Sequence, residues 1–143
     1  MSKLSQRLQE YMQEKNLSQS DLAKETGINR SNISEFLSEK HTPSYAYFTA
    51  LLYYFNCSAD YLLGIADIHT EERLHILPPF SERLRVMLSE RKISQMQLVK
   101  ELPVSSSVLY KWLSGKAQPS TDTLIRLASY FECSVDYLIG RIK

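Results

Sequence analysis

No stretch of this 143-residue chain approaches the roughly 18 consecutive apolar residues a membrane-spanning helix needs. The opening Met1-Ser2-Lys3-Leu4-Ser5-Gln6 has no signal-peptide core, so a cytoplasmic protein is expected. Cysteine is almost missing. Cys57 and Cys133 each follow a phenylalanine by two positions and precede a serine, which suits small buried thiols better than a disulfide. His41, His69 and His75 have no partner at ligand spacing, so no metal site is expected. Also lacking are a glycine-rich phosphate loop, a metal motif and a nucleophile–histidine–acid set. The expectation is therefore a protein that is not an enzyme and carries no cofactor. Net charge is nearly absent too, at +1, but it is unevenly spread: residues 1–66 carry −1, residues 67–79 carry −2 and residues 80–143 carry +4. An anionic partner would prefer the last segment.

What is present is a repeat. Displaced by 76 positions, Leu4–Gly64 falls on Phe80–Gly140 without a gap, and 24 of the 61 pairs are identical. Two copies of one folded unit follow. The expected division is a first domain over 1–66, an ordered connector over 67–79 and a second domain over 80–143. Each copy is small, which favours helices, whose hydrogen bonds are local.

Within a copy, Leu4, Leu8, Tyr11 and Met12 form one apolar stripe, as do Phe80, Leu84, Met87 and Leu88, and each predicts a first helix. Ser18 with Asp21, and Ser94 with Gln97, have capping-box spacing, so second helices start at Gln19 and Gln95. Gly27 ends the first of these and Pro103 the second. Asn29 and Ser105 then cap third helices, with Ile33, Phe36 and Leu37, or Leu109, Trp112 and Leu113, turned inward. Fourth helices follow Pro43-Ser44 and Pro119-Ser120. Short fifth helices start after Ser58 and Ser134 and close at Gly64 and Gly140.

The phrases Leu17-Ser18-Gln19-Ser20-Asp21-Leu22-Ala23 and Tyr110-Lys111-Trp112-Leu113-Ser114-Gly115-Lys116-Ala117-Gln118-Pro119-Ser120 resemble the Xre-type helix-turn-helix family. The closing Ser58-Ala59-Asp60-Tyr61-Leu62-Leu63-Gly64 and Ser134-Val135-Asp136-Tyr137-Leu138-Ile139-Gly140 do so too. That family has the five-helix domain of lambda-type phage repressors and Cro proteins. The resemblance implies an all-α chain of two tandem five-helix domains that binds double-stranded DNA, with the third helix in the major groove and the second crossing the backbone. It also implies a regulator, most simply a repressor of phage, mobile-element or antitoxin type that occupies an operator. Carried over by position, Gln19 and Gln95 would meet phosphate. Arg30, Ser31 and Glu35 would face bases in the first copy, and Ser106, Ser107, Tyr110 and Lys111 in the second. Lys40 and Lys116 would pass a phosphate.

The copies differ where binding would occur. Glu35 replaces Lys111 and Glu39 replaces Gly115, so two acids burden the first copy. Its fourth helix carries Tyr45, Tyr47 and Tyr53 where the second has Thr121, Thr123 and Ser129. Such aromatics suggest a covered surface, with the second copy, the connector or another chain of a homodimer as cover. The alternative reading is a protein-interaction module in which the first domain makes dimer or partner contacts and the second alone binds DNA. The connector lacks Gly and Ser. Thr70 is expected to cap a short helix over 71–77, stopped before Pro78, with Leu74 and Leu77 docked on one domain.

Overall fold

The computed structural model describes residues 3–143; Met1 and Ser2, at the start of the opening stretch read above, lie outside them. The described residues form ten α-helices and no strands. Apart from Ser120–Asp122, which cluster with the first unit, the chain divides into two compact units between Leu74 and His75. The first holds α1 (Lys3–Glu14), α2 (Gln19–Thr26), α3 (Arg30–Leu37), α4 (Tyr45–Phe55) and α5 (Ala59–Leu62). The second holds α6 (Phe80–Glu90), α7 (Gln95–Glu101), α8 (Ser106–Ser114), α9 (Thr121–Tyr130) and α10 (Val135–Ile139).

Serine and asparagine hydroxyl and amide oxygens start most of these helices. Ser18 accepts from the Asp21 N–H, and the Asp21 carboxylate accepts from the Ser18 N–H, a complete capping box. Ser94 accepts from the Gln97 N–H in the same way. There the reciprocal bond is not made, because the Gln97 amide donates to Glu101 at 3.0 Å. Asn29, Ser44, Ser58, Ser105 and Ser134 cap α3, α4, α5, α8 and α10. Each cap satisfies one of the amides that a helix start leaves unbonded.

The 76-residue displacement also holds in the packing. Leu8, Leu22, Ile33, Phe36, Leu51 and Leu62 are buried, and so are their counterparts Leu84, Leu98, Leu109, Trp112, Leu127 and Leu138. In the first unit α3 packs on α1 and α2, and in the second α8 packs on α6 and α7. Arg7 donates to the Tyr61 and Ala66 carbonyls, and its counterpart Arg83 donates to the Leu138 and Tyr137 carbonyls. Each guanidinium also covers a tyrosine ring, Tyr61 at 3.9 Å and Tyr137 at 5.2 Å. Residues of positive φ recur as well: Asn16 with Lys92, Glu39 with Gly115, Asn56 with Glu132, and Gly64 with Gly140. Neither cysteine is in a disulfide; Cys57 is buried and Cys133 partly so.

One backbone difference stands out. Gly27 ends α2 at φ 75°, in the left-handed region. Pro103 cannot enter that region and disfavours a helical residue before it. Accordingly α7 stops one position sooner, with Leu102 extended at φ −108° and ψ 148°, and the Val104 N–H closes a three-residue turn on the Leu102 carbonyl at 2.7 Å.

The connector holds no helix, contrary to the expectation over 71–77. Thr70 Oγ1 does accept from the Glu72 N–H, but this forms a local turn two residues long that is not propagated. The backbone at His75 is engaged elsewhere: its N–H donates to the Arg141 carbonyl at 2.7 Å and its own carbonyl accepts from the Arg141 guanidinium at 2.9 Å. That pairing needs an extended segment. Earlier in the connector, His69 stacks on Tyr61 with centroids 3.9 Å apart, and Leu74 lines a cleft of about 280 Å³ with Asn56, Cys57, Ser58, His69, Thr70 and Glu72.

Candidate nucleic-acid interface

In the second unit the positions singled out from sequence are on the surface. Gln95 opens α7, and Ser106, Ser107, Tyr110 and Lys111 are all exposed on α8. Gln95, Ser106 and Tyr110 border one cleft of about 190 Å³ between α7 and α8, together with Met96, Val99 and Leu109. Lys116, two residues past the end of α8, lies with its ammonium 5.5 Å from the Tyr110 ring centroid. Among the described residues, none of Lys100, Lys111 and Lys116 is within 4 Å of a carboxylate, so all three charges are open to solvent. Two acids of this unit are engaged. Glu101 accepts from Tyr130 at 2.6 Å and from Gln97 at 3.0 Å, which holds its carboxyl below the usual range. Burial, and then the Glu101 contact, push Tyr130 up to about 12. Glu90 accepts from the Tyr137 hydroxyl and lies 3.7 Å from Arg91.

Two supports keep α8 in place. From inside, Trp112 is 4% exposed, so the indole belongs to the core. From the side, Arg85 on α6 donates to the Leu113 carbonyl, satisfying one of the acceptors that a helix end leaves open. The first unit has Gln9 at that position.

The first unit presents a different surface. Arg30 is exposed at the first position of α3, Lys40 is exposed beyond its end, and Gln19 is half-buried at the start of α2. Ser31 is exposed, but its hydroxyl donates to Asn29 Oδ1 at 2.8 Å, so its proton already helps to cap α3. Glu35 turns toward the loop, its carboxylate 3.6 Å from His41 Nε2. Glu39 accepts from the buried Ser5 hydroxyl at 3.3 Å, so its carboxylate is drawn to α1. The two acids expected to burden this face are thus each engaged locally.

The three tyrosines are not alike. Tyr47 lies 6.3 Å from Phe36 and is half-buried. Tyr45 is half-buried, and burial raises its phenol above the ordinary value. Tyr53 is 44% exposed. Sequence reasoning missed Met96, which is 81% exposed on α7. Its signal was present in the repeat: Met96 stands where the first copy has Ser20.

Residues 5–68 match the family described as a helix-turn-helix domain, and residues 83–143 match the Cro/C1-type HTH DNA-binding domain. The chain is a tandem Xre-type helix-turn-helix protein. The HTH-type transcriptional activator BcrR of Enterococcus faecalis is similar to it, 32% identical over 61 residues, which cover 43% of this chain and 30% of that protein. No solved structure gives a significant match. The two domain matches and this relative support a DNA-binding transcription regulator. No helix among the described residues is long and apolar enough to cross a membrane. Among those residues, no group of three or more His, Cys, Asp or Glu is placed to hold a metal ion.

Proposed function

We propose that this tandem helix-turn-helix protein binds double-stranded DNA sequence-specifically, with its second unit as the principal reader, and regulates transcription by occupying an operator. The observation that carries this is the uncommitted basic surface of that unit: exposed Lys100, Lys111 and Lys116 beside a cleft bordered by Gln95, Ser106 and Tyr110. Lysines on such a face neutralise phosphates and release counterions, and the side chains of α8 supply contacts to base edges. Gln95 and Lys116 are assigned to the backbone, and Ser106, Ser107, Tyr110 and Lys111 to the base face, where the Lys111 charge also neutralises phosphate. In the first unit Gln19 and Lys40 take the backbone role, and Arg30, Ser31 and Glu35 the base role. Repression by occupancy requires nothing more than binding; the sign of regulation is read directly from a reporter.

The test is titration of random duplexes with the full chain across salt concentrations, followed by selection of bound sites. If about five to eight phosphates are contacted, log K should fall against log salt with a slope near −5 to −7. A slope near zero would refute the proposal.

A second reading concerns the first unit. Tyr53 at 44% exposure, with Ile65 at 53% and Ile68 at 79%, leaves apolar surface that a second copy would cover. A homodimer joined through Tyr53, with Tyr45 and Tyr47 at its margin, would present four helix-turn-helix units. Sedimentation of the intact chain at micromolar concentration should then give twice the monomer mass, and Tyr53→Ser should return it to monomer.

A further inference from the structure

The second unit has an apolar feature in the middle of its basic face, and the first unit has none at the matching positions. Met96 is 81% exposed and Tyr110 is 62% exposed, and the two border one cleft with Val99 beneath them. Their counterparts are Ser20, Ser34 and Ala23. Two large side chains so exposed on a small unit are held out of the core by geometry and lose hydration only when something covers them. The surroundings say what kind of partner fits. Lys116 sits over the Tyr110 ring, and Lys100 and Lys111 are exposed on the same two helices, each with no carboxylate within 4 Å among the described residues. A partner must therefore be anionic around the rim and apolar at the centre.

Duplex DNA has one apolar group on its major-groove edge, the thymine C5-methyl. Phosphates supply the anionic rim. We infer that the Met96–Tyr110 cleft receives thymine methyl groups, so that the second unit selects T-containing half-sites by apolar contact. The inference rests on the DNA-binding reading above. Tyr110 offers its ring face to the methyl, and Met96 has the rotatable stem that lets it close over the same group. The first unit, with Arg30 leading α3 and serines at the other two places, has the donor suited to guanine instead. The two units would then read different base compositions from one framework.

Replacing thymine by uracil removes the methyl and leaves every hydrogen-bonding group in place. Sites enriched from random duplexes by the full chain are resynthesised with uracil at each thymine in turn. At one or more positions binding should weaken about three- to fivefold, the value of one methyl removed from water. In the Met96→Ser, Tyr110→Ser protein, which carries the first unit's residues, thymine and uracil sites should bind equally while the salt slope is kept. Both residues are exposed, so the variant should melt as wild type does, and the comparison on the wild-type chain needs no variant. Equal binding of thymine and uracil sites by the wild type, with a steep salt slope, would overturn the inference, leave DNA binding intact and hand the cleft to a protein partner. Salt-dependent binding without any enriched sequence would overturn it too. No salt-dependent binding at all would remove the DNA-binding reading itself.

Discussion

The two units are one framework with two surfaces. Most of the buried residues and helix caps, the arginine clamp on the fifth helix and four positive-φ positions repeat at a spacing of 76. Outside, chemistry diverges: Glu35 against Lys111, Ser34 against Tyr110, Ser20 against Met96, Tyr53 against Ser129. Apolar packing tolerates exchange best at similar volumes, whereas an exposed position is free to change chemistry. Buried pairs differ too, as Phe48 against Leu124 and Leu52 against Ala128, but these stay apolar; the changes of chemistry at the surface mark where the units can differ in what they touch. The clearest backbone break in the framework is the turn between second and third helices, where Gly27 meets Pro103.

The strongest way to break the comparison is to remove the matched core aromatics. Phe36 and Trp112 are each 4% exposed. Phe36→Ala and Trp112→Ala should each cost about 3–5 kcal/mol and unfold only the unit that holds the residue. Circular dichroism would show about half the helical signal lost in either variant. A folded Trp112→Ala protein that fails to bind would place the indole at an interface.

A smaller effect should appear on DNA. Lys111→Ala removes one exposed charge and should reduce the salt slope by about 0.9, with weaker binding across all sequences. Glu35→Ala, in the less favourable field of the first unit, should weaken binding less. Should Arg30→Ala and Glu35→Ala cause the greater losses, the first unit is the principal reader.

Next come the paired left-handed positions. Gly115 has φ 79° and open space around an added Cβ, so Gly115→Ala should cost only the backbone term, about 1 kcal/mol, in a thermal melt. Glu132 holds φ 56° where its counterpart is Asn56. Asparagine tolerates that region better than other non-glycine residues, so Glu132→Asn should raise the second unit's stability by a few tenths of a kcal/mol.

The smallest effects are at the extremes of pH. Hydrogen bonds from Ser18 hold Asp21 below its usual range. Its contribution is present above the unfolded carboxyl value near 4 and is lost as pH falls through the lower folded value. Asp21→Asn should flatten that acid limb. Tyr130 behaves in the opposite sense, being raised to about 12. Its contribution is complete below the unfolded value near 10 and is lost as pH rises to about 12. Tyr130→Phe should remove this alkaline loss from melts of the second unit.

Much of this was legible in the sequence because it is local. A serine followed by helix-period apolar residues determines where a helix starts, and the 76-residue displacement exposes the core by pairing it with itself. The connector was misread because Thr70 and Pro78 are local signals, while the extended backbone depends on Arg141, 66 residues from His75. The bond from the Ser31 hydroxyl to Asn29 was not legible, because it depends on side-chain rotamers. The cleft at Met96 escaped because an apolar residue in an amphipathic helix is first assigned inward; only the depth of burial shows that it points out. The tyrosines of α4 share a composition but not an environment, since helix rotation separates Tyr47 beside Phe36 from exposed Tyr53.

The arginine clamp has a practical consequence. Arg7 and Arg83 tie the first helix of each unit to the carbonyls at the close of its fifth helix, and neither bond involves the second or third helix. The clamp's own bonds are thus made outside the reading segment. Exchanging residues 18–41 with 94–117 between units would transplant specificity and leave both clamps in place, so the order of readers along the chain could be reversed or one reader duplicated by simple recombination of its coding segment.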